Sequence, residues 1–252
     1  MNPVIKRVVH KTGLLVGAHI GRFPSADSLQ GHLLSFFRRT GINCVIDVGA
    51  HTGEYFETLS EIGYRGRVVS FEPVKANYEA LARKARREKR WLIRNVALGA
   101  EAGAKEMNVY QGTVFNSFLE SNEYGSERFG NMVERTKSES VQVARLDTIF
   151  ADCVAGLDSP RVFLKMDTQG WDIEVLRGAS GILDRIVGLQ SELSAQHCYN
   201  GMVPYTKALE HYNELGFQVT GIFPVARDKD ELRIVEFDCV MLHQADAHSA
   251  PG

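Results

Sequence analysis

The sequence lacks the paired cysteines that disulfide-bonded and zinc-binding proteins use. Cys44, Cys153, Cys198 and Cys239 are widely spaced, and no two of them form a C-x-x-C pair. Isolated thiols in a chain of 252 residues favour a reducing compartment over a secreted, disulfide-linked protein. Because Cys44 and Cys239 fall within apolar segments, we expect both to be buried in strands.

Long hydrophobic runs and an excess of one charge are also missing. No apolar segment approaches the roughly 18 residues of a transmembrane helix, and the net charge of −2 gives no general attraction to nucleic acid or membrane. These absences predict a cytoplasmic protein that does not bind nucleic acid. The motifs G-x-x-x-x-G-K-[ST], H-E-x-x-H and G-x-S-x-G are absent as well, which excludes several common enzyme classes.

The N-terminus is basic and then apolar, but it lacks the long uncharged core and the cleavage site of a secretory signal. A helical pattern fits it better, because one face collects the apolar residues Val4, Ile5, Val8 and Val9. This helix either packs on the domain or lies against the inner face of the membrane as a peripheral contact.

From residue 44 onward, apolar segments of strand length alternate with helix-like segments. Seven segments indicate strands: CVIDV, GRVVSFEP, WLIRNVAL, RVFLKMD, RIVGLQSEL, FQVTGIFPV and LRIVEFDCVML. Helices between strands imply right-handed crossovers, so the predicted fold class is α/β, with a mainly parallel sheet and helices on both faces. No helix separates the last two strands, which should form an antiparallel hairpin at one edge.

The remaining segments complete the predicted organisation. The segment SLQGHLLSFFRRT indicates a helix capped by Ser25 or Asp27. The stretch from Gly99 to Ser140 shows little periodicity and indicates a long loop that is functional or mobile. We therefore predict N-terminal helices at 1–40 that pack on or cover the core, one large domain at 41–245, and a flexible tail at 246–252.

The turn after the first predicted strand indicates the kind of ligand. In CVIDVGAHTGEY, Asp47 ends the strand, and Gly49 and Gly53 lie in the turn before the next helix. A dinucleotide-binding turn has G-x-G-x-x-G and receives a pyrophosphate. A carboxylate in place of the first glycine repels that group but suits a cationic ligand. Glu72 ends the second strand, where an acid can accept hydrogen bonds from ribose hydroxyls. These four residues together indicate S-adenosylmethionine and disfavour a nicotinamide oxidoreductase.

Seven sequence blocks then carry a resemblance to a known family. In order they are VIDVGAHTGEY, VVSFEP, NVALG, LDTI, LKMDTQGWDIEVLRGA, SEL and FDCVML. This arrangement resembles the FkbM-type methyltransferases, which use S-adenosylmethionine to methylate hydroxyl groups of sugars or polyketides. The resemblance implies a Rossmann-like class I methyltransferase fold with a seven-stranded sheet.

The resemblance also implies which residues bind the cofactor. Carried over by position, they are Asp47, Gly49, His51, Thr52, Gly53, Glu72, Asn95, Val96, Asn116 and Ser117. Among them, Asn95 and Val96 are expected near the adenine. Two residues depart from the family pattern: His51 stands where asparagine is commoner, and Gln169 stands where glutamate is usual in D-x-E-G. The role of that glutamate has no direct counterpart here, and we expect Gln169 to contact the acceptor.

Methyl transfer to a sugar hydroxyl needs a group that accepts the hydroxyl proton or a metal that acidifies it. Asp167 and Glu192 end the fourth and fifth predicted strands, so both should point into the cofactor cleft. They either share the work of base and orienting group or form part of a divalent-metal site for Mg²⁺, although Asp167 also suits a structural helix cap. His197 is a further candidate base because histidine titrates near neutral pH, and Tyr199 is placed to stack on a sugar face.

The leading prediction is an S-adenosylmethionine-dependent O-methyltransferase that acts on a sugar hydroxyl, such as one of rhamnose or fucose, in a glycolipid or a glycosylated natural product. A polyketide hydroxyl is the alternative acceptor. A catalytically inactive, methyltransferase-like binding protein is the other alternative, and it would bind the cofactor without transferring a methyl group. The expected partners are a small-molecule or glycolipid acceptor, with a homo-oligomer left open.

Overall fold

The computed structural model describes residues 24–25, 27–228 and 230–246. The predicted amphipathic helix near the N-terminus lies outside these residues, and so does the predicted tail after Asp246. The predicted domain boundaries at residues 40 and 245 stay predictions. Within the described ranges, no helix is long and apolar enough to cross a membrane.

A seven-stranded sheet forms the centre of the molecule, as the sequence predicts. The strands of the described residues are β1 Cys44–Val48, β2 Arg67–Phe71, β3 Trp91–Arg94, β4 Ala97–Leu98, β5 Gly103–Tyr110, β6 Arg135–Ala144, β7 Val162–Met166, β8 Ile186–Ser194, β9 Phe217–Arg227 and β10 Ile234–His243. The large sheet has the order β3-β2-β1-β7-β8-β10-β9. Its strands are parallel except β10, which runs antiparallel to β8 and β9. The mainly parallel, Rossmann-like α/β fold with a C-terminal hairpin is therefore confirmed.

Helices cover both faces of this sheet. Those of the described residues are α1 Leu29–Thr40, α2 Glu54–Glu61, α3 Lys75–Ala85, α4 Glu123–Phe129, α5 Leu146–Val154, α6 Asp172–Arg177 and α7 Tyr205–Glu214. Side chains alternate along β1, so Val45 packs with α1–α3 while Cys44 and Ile46 pack with α5–α7. Cys44 and Cys239 are fully buried in strands, as expected.

The N-cap of α1 is neither of the two predicted residues. Ser28 is the N-cap, and its Oγ accepts a hydrogen bond from the amide of Gly31. Ser25 and Asp27, the predicted caps, precede it, and the carbonyl of Ser25 accepts a hydrogen bond from the Ser28 hydroxyl. Ser25, Asp27 and Ser28 are all residue types that are preferred at an N-cap. The backbone conformation decides which of them takes that position.

The strand order reverses between β1 and β7, which is where parallel α/β sheets bind ligands. Register partners at this point form a polar row across four strands, made of Ser70, Asp47, Lys165 and Gln190. All four side chains are buried. The carboxyl ends of β1, β2, β7 and β8 meet next to this row, so the loops that follow them surround one cleft.

The segment from Gly99 to Ser140 is more regular than predicted. It contains β5 and the first part of β6, which are antiparallel and form a second, three-stranded sheet of order β4-β6-β5. The predicted strand WLIRNVAL is also split, with β3 in the large sheet and β4 in the small one. Asn95 makes the break, because its side-chain amide donates to the carbonyls of Glu72 and Pro73.

Candidate active site

A cavity of about 510 Å³ lies at the carboxyl ends of the parallel strands. The loops after β1, β2 and β7, the end of β8, the β5–β6 connection and the C-terminal hairpin all contribute to its wall. The predicted site residues that line it are Gly49, His51, Glu72, Asn116, Asp167, Gln169 and Glu192. The structure thus brings residues of both the predicted cofactor site and the predicted catalytic site to one cleft.

Glu72 follows β2 and is almost fully buried. Its Oε2 accepts from the amide of His51, and its Oε1 accepts from the amide of Val74, both at 2.9 Å. Burial raises the pKa of Glu72 to about 7, although these hydrogen bonds act in the opposite direction. The carboxylate therefore ties the loop after β1 to the loop after β2. Asn77 Nδ2 also lies 3.5 Å from Oε1, so Oε2 is the oxygen that keeps a lone pair for a hydroxyl donor.

The two glycines of the first turn have different neighbours. A Cβ on Gly49 would lie 2.0 Å from the carbonyl oxygen of Asp167, so the loops after β1 and β7 touch there. A Cβ on Gly53 would lie 2.5 Å from the ring of Trp91, which stacks on Phe56 of α2. Gly53 thus lets α2 start tight against the sheet, whereas the space beside Gly49 is taken by the backbone of Asp167.

Asp47 lies behind the cavity wall. Its carboxylate has no exposed surface and lies 3.2 Å from the ammonium of Lys165, and it accepts a hydrogen bond from Ser70 Oγ at 2.9 Å. Lys165 also lies 3.5 Å from Asp167 Oδ2. Burial lowers the pKa of Lys165, but the attraction of Asp47 and Asp167 outweighs it and the net shift is upward. Asp47 therefore holds Lys165 and is not among the residues that line the cavity, and its role toward a cationic ligand stays a prediction.

Other predicted cofactor residues surround the cavity without lining it. Asn95 holds the β2 turn, and Val96 packs into the core under α5–α7. Thr52 donates its hydroxyl hydrogen bond to Glu54, and Ser117 is fully buried. The lining also includes a set of apolar residues, with the polar Asn77 beside Glu72. The apolar residues are Phe71, Ala97, Leu98, Met107, Phe118 and Trp171.

Asn116 contributes a polar group to the same region. Its Oδ1 accepts from the backbone amide of Tyr110 at 2.9 Å. Its Nδ2 is buried and has no hydrogen-bond partner among the described residues. Because a buried unpaired donor is costly, this residue suits a ligand that offers an acceptor atom.

The opposite end of the cavity holds the predicted carboxylate pair. Asp167 directly follows β7, and Glu192 lies within β8, two residues before the end of that strand. The side-chain amide of Gln169 donates to Asp167 Oδ1 at 3.1 Å and to Glu192 Oε1 at 3.2 Å. Burial and the neighbouring charge of Asp167 raise the pKa of Glu192 well above its usual value. These residues can receive a hydroxyl group and its proton.

Sequence reasoning missed Lys165 and several polar residues of β8 and β10 that line this end. Gln190 donates to Asp238 Oδ1 and accepts from the hydroxyl of Tyr55, both at 2.8 Å. Burial raises the pKa of Glu236 to about 7 and that of Asp238 to about 6, with Asp167 adding to both shifts. The signal was present in the sequence, since a lysine in RVFLKMD and alternating acids in VEFDC interrupt otherwise apolar strands.

His197 and Tyr199 do not line the cavity. The imidazole of His197 is exposed, and its backbone carbonyl accepts from Asn122 Nδ2. Tyr199 is buried, and its hydroxyl lies 3.0 Å from Gln169 Oε1 and 2.9 Å from the carbonyl of Phe115. Tyr199 therefore supports Gln169, and its ring face is not available to a sugar.

No group of three or more histidine, cysteine, aspartate or glutamate side chains in the described ranges is arranged to hold a metal ion. Asp167 and Glu192, the pair predicted as a Mg²⁺ option, contact an amide and an ammonium group. The Mg²⁺ option stays a prediction.

Residues 47–219 match the model of a protein family described as the Methyltransferase FkbM domain. No curated protein matches the sequence. Among solved structures, a precorrin-6y C5,15-methyltransferase of Geobacter metallireducens is 13% identical, with 85% of this chain and 87% of that chain covered and a TM-score of 0.44. A SAM-dependent methyltransferase of Aquifex aeolicus is 12% identical, with 96% and 98% covered and a TM-score of 0.42. Aeropyrum pernix fibrillarin with natively bound S-adenosyl-L-methionine is 11% identical, with 79% and 66% covered and a TM-score of 0.45.

Proposed function

The chain belongs to the FkbM family of methyltransferases, and on that premise we propose that it is an S-adenosylmethionine-dependent O-methyltransferase that acts on a sugar hydroxyl. The observation that carries the proposal is the division of one cavity into two chemically different ends. One end joins an apolar wall to a single buried acid, and the other is rich in carboxylate and amide groups.

The first end fits S-adenosylmethionine. Glu72 follows β2 at the position where an acid accepts hydrogen bonds from ribose hydroxyls, and the apolar wall suits a flat base. The unpaired Nδ2 of Asn116 offers a donor to that base. When bound, the sulfonium group supplies a methyl carbon that is already activated for transfer.

The second end suits an acceptor with several hydroxyl groups. Its polar lining residues are Lys165, Asp167, Gln169, Gln190, Glu192, Glu236 and Asp238. Carboxylate and amide oxygens accept hydrogen bonds from hydroxyl groups, and a site built in this way rejects acceptors that leave its polar groups unpaired. This supports a sugar over an apolar polyketide. A deoxyhexose such as rhamnose or fucose, free or carried on a glycolipid, is the acceptor we propose.

Glu192 is the general base of this proposal. Its carboxylate lines the acceptor end of the cavity, and in its ionised form a general base contributes about 10²–10⁴-fold to the rate. Asp167, which is one-third exposed and held by Lys165 at 3.5 Å, orients the hydroxyl. Positioning of this kind supplies roughly 7–11 kcal/mol in well-aligned systems, so we expect both residues to matter.

The test is transfer of a labelled methyl group from S-adenosylmethionine to methyl rhamnoside, methyl fucoside, a polar-lipid extract of the source organism and an apolar polyketide alcohol. Glu192→Gln is expected to lower kcat about 10²–10⁴-fold while the Kd for the cofactor stays within about twofold. Asp152→Asn changes an exposed acid of α5, outside the cavity, and serves as the matched control. It should retain wild-type kcat.

Three outcomes separate the proposals. Label in a sugar or glycolipid that disappears with Glu192→Gln supports the reaction and the base. Label only in an apolar polyketide hydroxyl would overturn the sugar acceptor. Tight cofactor binding with no label in any acceptor would favour the inactive binding protein.

A further inference from the structure

The side-chain amide of Gln169 lies between the two carboxylates of the acceptor end. Its nitrogen is 3.1 Å from Asp167 Oδ1 and 3.2 Å from Glu192 Oε1. An amide nitrogen carries two hydrogens, so one hydrogen bond goes to each carboxylate. We infer that Gln169 is a positioning residue that holds Asp167 and Glu192 together as a pair. The inference rests on the function proposed above.

The surrounding hydrogen bonds fix the amide in one orientation. The hydroxyl of Tyr199 is 3.0 Å from Gln169 Oε1. A rotated amide would turn its oxygen toward both carboxylates, and three acceptors would then face one another. The hydroxyl of Tyr199 has one hydrogen, which can go to Gln169 Oε1 or to the carbonyl of Phe115 at 2.9 Å. The two carboxylates therefore select the orientation in which both amide hydrogens point at Asp167 and Glu192.

The backbone at Gln169 gives a second reason to assign this side chain a role. Gln169 has φ +51°, in the left-handed region that glycine occupies more easily. Its carbonyl accepts from Ser117 Oγ at 2.8 Å, which helps to hold the turn. Backbone strain of this kind persists where the surrounding structure requires it. A glycine would relieve the strain but would remove the one side chain that donates hydrogen bonds to both carboxylates in the described part of the chain.

The charges around the pair explain why a bridge is needed. Lys165 lies 3.5 Å from Asp167, but it also pairs with Asp47. The neighbouring acids Glu236 and Asp238 disfavour the negative charge of Glu192. Two hydrogen bonds from one amide attract both carboxylates without adding charge. A glutamate at the same position has the same shape but would place a third carboxylate there. That arrangement needs a shared proton or a divalent cation.

The experiment compares wild type, Gln169→Glu, Gln169→Met and the control Gln142→Glu. Gln142 is exposed on β6, away from the cavity. Mn²⁺ binding is measured by electron paramagnetic resonance without cofactor or acceptor. The kcat, the acceptor KM and the Kd for S-adenosylmethionine are measured with and without Mn²⁺. The cofactor Kd reports whether each variant is folded, because Gln169 lies at the other end of the cavity from Glu72.

We expect Gln169→Glu to bind one Mn²⁺ at least about tenfold more tightly than wild type or Gln142→Glu. Gln169→Met should lower kcat about tenfold or more with little change in the cofactor Kd. Addition of Mn²⁺ should restore part of the kcat in Gln169→Glu and should not do so in Gln169→Met. If Gln169→Met retains wild-type kcat and Gln169→Glu binds Mn²⁺ no more tightly, the inference is wrong. If no acceptor accepts a methyl group, the proposed function fails, while the Mn²⁺ measurement still decides on the amide bridge.

Discussion

Lys165 is a buried charged residue at the wall of the cavity. It stands in the middle of β7 among buried apolar side chains and pairs with Asp47 and Asp167. Two charges taken out of water stabilise a fold only when each stays compensated. The pair Asp47–Lys165 therefore acts as one unit, and it also fixes the position of Asp167 at the edge of the cavity.

Replacing Lys165 by methionine should destabilise the protein by about 3–5 kcal/mol, because the carboxylate of Asp47 would remain buried without a positive charge beside it. The measurement is urea unfolding. The double variant Asp47→Asn, Lys165→Met should regain a part of this loss. Lys207→Met removes an exposed lysine of α7 that pairs with Glu210, and this control should change little. A loss no larger than that of the control would contradict the role given to Lys165.

Glu72 predicts a pH dependence of cofactor binding. Burial raises its pKa to about 7, so the ionised form that accepts from ribose hydroxyls declines below neutral pH. The affinity for S-adenosylmethionine should then weaken by about tenfold for each pH unit below 7, which calorimetry between pH 5.5 and 8 can measure. Glu72→Gln should bind more weakly at pH 8 and show a flat profile, whereas the exposed Glu101→Gln should follow wild type. An unchanged slope in Glu72→Gln would exclude Glu72 as its origin.

At the residue scale, the sequence predicts those site residues that end strands. Glu72 and Asp167 follow β2 and β7, so strand boundaries alone place them at the cavity. Asp47 could not be placed in this way, because a strand alternates its side chains between two faces and only the packing decides which face meets a ligand. His197 and Tyr199 lie in a loop without period, and the structure orients one outward and the other inward.

At the scale of elements, the turn between β1 and α2 depends on Gly53. Gly53 has φ +101°, and a Cβ would lie 2.5 Å from Trp91. Gly63 also has a left-handed φ, of +83°, but a Cβ there would meet nothing within 4 Å. Adding a Cβ at either position therefore strains the left-handed backbone, but only at Gly53 does the Cβ also clash with a neighbouring side chain.

Gly53→Ala should destabilise the protein more than Gly63→Ala. The left-handed backbone costs roughly 1–3 kcal/mol at either position, and displacement of Trp91 should add about 1–3 kcal/mol at Gly53. Urea unfolding gives both values, and the fluorescence of Trp91 should shift in Gly53→Ala alone. Equal losses in the two variants would show that α2 does not pack as tightly on the sheet as described.

The β5–β6 hairpin shows where element prediction fails. The first half of β5 is exposed and its second half is buried, and β6 is exposed over most of its length. Such strands do not show the strict alternation that identifies a half-buried sheet. Their pairing also spans the connection from residue 111 to residue 134, which contains α4. The hairpin is fixed by contacts that are distant in sequence, so the local pattern resembled a loop.

At the scale of the whole molecule, the sequence predicts the large sheet well. Its parallel strands are buried on both faces and form short apolar runs separated by helices, which identifies both the fold class and the final antiparallel hairpin. The convergence of polar groups in the cavity could not be predicted. Asp167, Glu192 and Asp238 come from three strands, and their distances depend on register. Strand register is set by side-chain packing across the whole sheet.

This convergence of buried acids predicts how the stability of the ligand-free protein depends on pH. Burial raises the pKa values of Glu72, Asp172, Glu192, Glu236 and Asp238. An acid with a raised pKa binds its proton more tightly in the folded state, so its contribution to stability is complete below the unfolded pKa and is lost as pH rises through the folded pKa. The pKa of His32 is lowered by burial, so His32 contributes stability that increases with pH. This single contribution is outweighed by those of the five acids.

The free energy of unfolding should therefore decrease between pH 5 and pH 7.5, by about 1.4 kcal/mol per pH unit for each proton that the folded state retains. Urea midpoints across this range measure it. Glu236→Gln, which removes an acid with a pKa of about 7, should reduce the slope. Asp228→Asn should leave the slope unchanged, because hydrogen bonds from the amides of Glu231 and Asp230 lower the pKa of Asp228 out of this range. A stability that rises with pH would mean that the carboxylates of the cavity are not buried together, and the acceptor site described above would lose its basis.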